Sequence, residues 1–249
     1  MARTLEQYEK LRQQWISDIS HELRTPLSIL RGEIEALLDG IREASSQRLE
    51  SLHAEVIHMS RIVSNLHDLS LAESAALHIR REPVDLVQAV RACLQKFQAM
   101  FAERGIEIAD VLGDAKTITI KGDKDWLTQV FSNLLENTLR YTDFPGCLTV
   151  RLLCTPGNVR LEFADTKPAV PTEALERLFD RLYRVDPSRS RALGGSGLGL
   201  SICNTIIEAH GGTITARHAE AGGLQIEITL PLCSTAPEHA RKATDTHDA

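Results

Sequence analysis

Long hydrophobic runs are missing from this chain: no stretch approaches the roughly 18 consecutive apolar residues that a bilayer-crossing helix needs. The opening residues, Met1-Ala2-Arg3-Thr4-Leu5-Glu6, lack the apolar core of a secretory leader, so the chain as given is expected to be soluble and cytoplasmic. A cationic surplus is missing too. Lys and Arg total 28 against 34 Asp and Glu, and the resulting formal net charge of -6 excludes the basic face that nucleic acid binding draws on. The 5 cysteines, at positions 93, 147, 154, 203 and 233, are odd in number and include no CxxC pair, which excludes a disulfide framework and a thiolate metal site. They read as small buried hydrophobes in a reducing compartment. No GxxxxGK[ST] loop exists, so any bound nucleotide is held by something other than a Walker loop.

What is present begins with a helical period. Apolar residues recur three or four apart at Leu5, Tyr8, Leu11, Trp15, Ile19, Leu23, Leu27, Leu30, Ile34, Leu37 and Ile41, which predicts one long amphipathic helix to about Arg42. A polar break at Glu43 to Gln47 separates it from a second helix carrying Leu49, Leu52, Val56, Met59, Val63, Leu66 and Leu69. Two such helices make an antiparallel hairpin. A lone hairpin cannot bury both stripes, so a homodimer closing a four-helix bundle is expected, the alternative being a hairpin packed on the rest of its own chain.

Within the first helix lies Ser20-His21-Glu22-Leu23-Arg24-Thr25-Pro26-Leu27. Two residues from Ile19 is a rotation of about 200°, so His21 faces away from the apolar seam. Pro26 gives no N–H to the carbonyl of Glu22 and should bend the helix just after the histidine. A histidine on a polar helix face is commonly a solvated surface residue, and His53, His58, His67 and His78 are assigned to that class. His21 differs in having Glu22, which could hold one ring N–H and leave the other nitrogen nucleophilic.

After Pro83 the pattern turns to mixed helix and strand. Helices are predicted over Leu86 to Glu103, Asp123 to Tyr141 and Gly197 to His210, with a short one near Thr172 to Arg177. Strands are predicted at Ile106 to Val111, Ala115 to Lys121, Cys147 to Cys154, Val159 to Asp165, Gly212 to Arg217 and Leu224 to Pro231. The fold class is therefore α plus α/β: a helical hairpin over residues 1–78, a two-layer α/β sandwich over 79–232, and a polar tail over 233–249 expected to be disordered.

Four clusters in the second part point to a nucleotide. Gly194-Gly195-Ser196-Gly197-Leu198-Gly199-Leu200 runs into a helix, so backbone N–H groups and a helix start can approach phosphate, although a glycine-rich hinge would look the same. Asn133 and Asn137 share a helical face near Arg140 and Tyr141, where amide oxygens can complete a magnesium shell of water and phosphate. Asp165 ends a strand where its carboxylate could accept the amino group of adenine. Leu178-Phe179-Asp180-Arg181-Leu182-Tyr183-Arg184, followed by Arg189 and Arg191, looks like a mobile lid whose arginines balance phosphate charge.

The order of histidine, asparagine, aspartate, lid and glycine segments resembles the bacterial two-component sensor histidine kinases, over nearly the whole chain. That resemblance implies a dimeric histidine-phosphotransfer bundle followed by a Bergerat-type ATPase domain. It implies ATP and Mg²⁺ as cofactors, His21 as phosphoacceptor, Glu22 as its base partner, and Thr25 as helping to dephosphorylate the regulator. It also implies Asn137 as metal ligand with Asn133 in support, Arg140 and Tyr141 beside the phosphates or ribose, and Asp165 on adenine. Arg184 and the segment Gly195, Gly197, Leu198 and Gly199 fall at the phosphates. The implied partner is the receiver domain of a response regulator, and the implied parent protein sits in the inner membrane through segments outside this chain. One departure stands out: where the family has glycines after the aspartate, this chain has Asp165-Thr166-Lys167-Pro168-Ala169, so weakened nucleotide binding is expected. A degenerate, dimeric docking module without turnover is the alternative. Bergerat ATPases of the chaperone or topoisomerase kind lack the histidine-bearing hairpin.

Overall fold

The structure is a computed structural model that describes residues 2–75, 79–110, 112, 117–186 and 195–233. It opens with two long helices, α1 (Ala2–Leu38) and α2 (Ser46–Ala75). Helix α1 stops four residues short of the expected Arg42 because Gly40 takes a left-handed φ of 67° and ends the helical ladder. Beyond it the Arg42 guanidinium pairs with Glu33. The helix runs unbroken through Pro26, and Thr25 Oγ1 donates to the His21 carbonyl at 3.2 Å.

Helix α2 is shared between two jobs. Leu69 and Ala72 on its last turns join the core of the α/β part, while Val56 and Val63 lie exposed, as do Leu27, Ile34 and Leu38 on α1. The hairpin thus leaves an apolar stripe uncovered within one chain. His58 corrects the surface assignment given to it, being only 7% exposed, whereas His53 and His67 are exposed and His78 lies outside the described residues.

A two-stranded antiparallel ribbon joins β1 (Glu82–Asp85) to β3 (Thr119–Gly122). Strand β1 was not expected, and β3 begins at Thr119 where the sequence suggested Ala115, which with Lys116 and Val111 lies outside the described residues. The main sheet has the order β2-β4-β5-β7-β6, built from β2 (Ile106–Asp110), β4 (Gly146–Thr155), β5 (Asn158–Thr166), β6 (Thr213–His218) and β7 (Gly222–Pro231). Only β2 and β4 are parallel; the other pairs are antiparallel.

Helices α3 (Leu86–Glu103), α4 (Lys124–Tyr141) and α5 (Gly199–Ala209) pack their apolar stripes against the sheet. Side chains alternate along β5, with Val159, Leu161, Phe163 and Asp165 buried and Arg160 and Glu162 on the other face. Phe163 stacks on Phe131 of α4 at a centroid separation of 6.2 Å. The same period-two rule that fills the core delivers Asp165 to the inner face.

Caps fix where the helices start. Asp85 Oδ1 accepts from the Gln88 N–H to begin α3, and Asp123 Oδ1 accepts from the Asp125 and Trp126 N–H groups to begin α4. His210, just past α5, ties the two ends together: its Nδ1–H donates to the Ile206 carbonyl at 2.7 Å and its Nε2 accepts from Asp123 N–H at 3.0 Å. Burial holds this imidazole below its ordinary pKa, in keeping with a neutral ring. The helix expected near Thr172 is instead two 3-10 turns, Thr172–Ala174 and Glu176–Phe179. Of the cysteines, Cys93 and Cys203 are buried as expected, but Cys147 and Cys233 are half-buried and Cys154 is exposed. The expected tail beyond Cys233 lies outside the described residues.

Candidate functional site

Where α4, the end of β5 and the start of α5 converge, they enclose a cavity of about 500 Å³, within the range of small-molecule pockets. Helix α4 turns Leu134 and Leu135 into the core, which leaves Asn133, Asn137, Arg140 and Tyr141 on the cavity side. Asn133 Nδ2 donates to the Gly199 carbonyl at 3.4 Å, tying α4 to the glycine segment. Gly195, Gly197 and Gly199 line the opposite wall, and Arg184 comes from the lid. Gly194, Arg189 and Arg191 lie outside the described residues.

Glycine is required at one of these positions by two separate features. Gly197 has φ of 72°, and a Cβ there would come within 2.8 Å of the Leu182 backbone. That close approach seats the lid on the glycine segment. Leu198 differs from its neighbours: its side chain is fully buried in the core, so only its backbone remains for a ligand.

Asp165 is 9% exposed, and its Oδ1 accepts from Leu224 N–H at 2.7 Å. Burial pushes its carboxyl up to about 6, against the pull of that backbone N–H. Gly223 makes the arrangement possible, since a Cβ on it would lie 2.4 Å from Asp165 Oδ1. This pair, Gly223 and Leu224, was not singled out from the sequence, where glycines in a hairpin looked like turn residues alone.

The polar face of α2 was missed as well. Arg61, Asn65 and Asp68 line the cavity beside Ser64. Asn65 Nδ2 donates to Ser196 Oγ at 2.6 Å and Gln129 Nε2 donates to Asp68 Oδ2 at 2.8 Å, so hairpin and α/β part meet at the pocket. Their spacing of three and four residues marks one face of α2, a signal legible in the sequence.

His21 is exposed on α1, and neither it, Glu22 nor Thr25 lines the cavity. Glu22 Oε2 accepts from Arg184 Nη2 at 2.9 Å, and the Arg184 side chain is only 5% exposed. The two groups expected to serve the imidazole and the phosphates therefore engage each other here. Arg181 adds a second link, its guanidinium 5.2 Å from the centre of the Trp15 ring.

The donor set suits Mg·ATP. Asn133, Asn137 and Glu136 offer oxygens without thiolate or imidazole, as a hard, hydrated cation prefers. The inward Asp165 carboxylate can accept an amino hydrogen, and the glycine segment offers backbone to phosphate. Among the described residues no helix is long and apolar enough to cross a membrane.

Comparison with known proteins finds two family matches in tandem. Residues 11–75 match the His Kinase A (phospho-acceptor) domain, and residues 122–234 match the histidine kinase-, DNA gyrase B- and HSP90-like ATPase family. The chain is 47% identical over 232 residues to the signal transduction histidine-protein kinase BaeS of Escherichia coli (strain K12), covering 93% of this chain and 49% of BaeS. To the sensor protein kinase WalK of Staphylococcus aureus it is 34% identical over 231 residues, covering 91% of this chain and 55% of WalK. It thus spans about half the length of the curated relatives it matches. Among solved structures, the Acinetobacter baumannii histidine kinase AdeS superposes with a TM-score of 0.67 at 27% identity, covering 85% of this chain and 98% of that one. The histidine kinase ThkA, solved in complex with a response regulator, shares the fold with a TM-score of 0.74 at 20% identity, covering 88% of this chain and 61% of its own. A phosphoacceptor hairpin followed by an ATPase domain, both matched in tandem, makes this chain a member of the sensor histidine kinase family.

Proposed function

We propose that this chain phosphorylates itself on His21 from Mg·ATP and passes the phosphoryl group to an aspartate in the receiver domain of a response regulator. The observation that carries it is the cavity itself, in which Asn133, Asn137, Arg140, Asp165 and the glycine segment converge within reach of a hairpin bearing an exposed histidine. In this reading Asp165 accepts from the adenine amino group, while Arg140 and Tyr141 flank ribose or phosphate. Asn137, supported by Asn133, holds the metal, and the backbone of Gly195, Gly197, Leu198 and Gly199 with the Arg184 side chain faces the phosphates. Bound Mg²⁺ supplies charge neutralisation on the phosphate oxygens.

A lone pair of the His21 imidazole attacks the γ-phosphorus in line; the bond to the ADP oxygen breaks as the P–N bond forms. Glu22 accepts the hydrogen of the other ring nitrogen and stabilises the developing cation. Since Glu22 is held by Arg184, that pair opens first, which frees the guanidinium for phosphate at the same moment. The phosphoramidate then gives its phosphoryl group to a carboxylate, and Thr25 orients water when the regulator is dephosphorylated. A regulator as second substrate is supported by ThkA, which was solved with response regulator protein TrrA.

The uncovered stripe of Leu27, Ile34, Val56 and Val63 supports a homodimer through the hairpin. The hairpin is taken to span residues 1–78 and the ATP-binding part residues 79–232. The parent protein is placed in the inner membrane through segments outside these residues, this part facing the cytoplasm. Titration with ATP and Mg²⁺ in a calorimeter tests the nucleotide half: binding at or below about millimolar affinity is expected. Absence of binding there would overturn the kinase and leave a dimeric docking module.

A further inference from the structure

The segment after Asp165 is where this chain lacks the family's glycines, and the fold braces it from several sides. Cys147 N–H donates to Thr166 Oγ1 at 3.0 Å, and Asp143 N–H donates to the Lys167 carbonyl at 2.9 Å. The exposed Lys167 side chain is not part of the cavity wall, but Pro168, Ala169 and Val170 are. These three residues belong to no helix or strand, so no ladder satisfies their carbonyls or fixes their path. At the far end of the wall the Val170 carbonyl lies 2.7 Å from Nε2 of His218, the last residue of β6, which is an edge strand of the sheet. A carbonyl only accepts, so the imidazole Nε2–H is the donor, in the neutral tautomer and in the cation alike.

We propose that His218 is a positioning residue for adenine: by holding the Val170 carbonyl it fixes the Pro168 to Val170 wall beside Asp165. A tether from the sheet edge thereby sets the shape that glycines would otherwise set within the turn. His218 does not line the cavity, so it acts through the wall it holds. The inference rests on the nucleotide reading above and assigns what makes the adenine side work without glycines after Asp165.

The test compares ADP binding by calorimetry, with Mg²⁺ present, in the wild type, His218→Ala and His218→Gln. His218→Ala should bind ADP about three- to tenfold more weakly, the range that one net hydrogen bond spans. His218→Gln, whose amide still donates, should return to within about twofold. The melting temperature of the ligand-free protein should stay that of the wild type, because the ring is exposed, and saturating ATP should restore the rate of His21 phosphorylation while its KM rises. Unchanged ADP affinity in His218→Ala, or an equal loss in both variants, would overturn the assignment. A wild type that binds no ADP would instead remove the nucleotide reading on which it stands.

Discussion

Asp165 is the residue whose charge the fold disturbs most usefully. Burial raises its carboxyl to about 6, and the ionised form is the stronger acceptor for an adenine amino hydrogen. Nucleotide affinity should therefore hold from about pH 8 down to about pH 7 and fall as the pH drops through about 6, as calorimetric ADP titrations would register. The linked effect on stability has the opposite sign: a raised folded pKa favours the fold below about 4 and loses that contribution as pH rises through about 6. Asp165→Asn should flatten the pH dependence of binding. That Asn133, Asn137 and Asp165 would face one site, and that His21 would be exposed, was legible in the sequence from residue type and period. His58 and Cys154 were misjudged because burial depends on which distant element lies above a residue. The Glu22–Arg184 pair spans 162 residues and left no local mark.

At the scale of elements, the segment joining lid to helix α5 turns on Gly197. Any L side chain there meets both an unfavourable φ of 72° and the Leu182 backbone. Gly197→Ala should cost about 1–2 kcal/mol from the torsion alone, more if the lid cannot shift, and it should weaken ATP binding along with thermal stability. Helix α3 was found at its predicted ends because Asp85 caps it and an apolar stripe fills it. Strand β1 escaped notice because it is 4 residues long, contains Pro83, and pairs with β3 across the whole of α3. The end of α1 was in the sequence as Gly40, a stop signal outweighed by the apolar Ile41 beyond it. The short helix predicted near Thr172 to Arg177 became 3-10 turns, a difference of hydrogen-bond pattern that residue periodicity does not distinguish over so few residues.

Across the whole molecule, hairpin and ATPase-type part are joined by Leu69 and Ala72 in a shared core and by three polar pairs: Glu22 with Arg184, Asn65 with Ser196, and Asp68 with Gln129. Together they hold an arrangement in which Glu22, the proposed base partner of His21, is engaged by Arg184. Loss of either partner should slow initial rates of phosphorylation: Glu22→Gln through the imidazole with the KM for ATP little changed, Arg184→Ala through the phosphates with that KM raised. The division of the chain into hairpin and sandwich was legible from the change of hydrophobic period, since period follows secondary structure. How the two parts meet was not, because Leu69, Ala72 and the polar pairs find their partners far away in sequence, where periodicity carries no signal. The most direct measurement is labelling with ATP carrying a tagged γ-phosphate, in the wild type and in His21→Ala. A base-stable, acid-labile phosphoprotein in the wild type, absent from His21→Ala while ATP binding persists, is the expected result; undiminished acid-labile label in His21→Ala would contradict it.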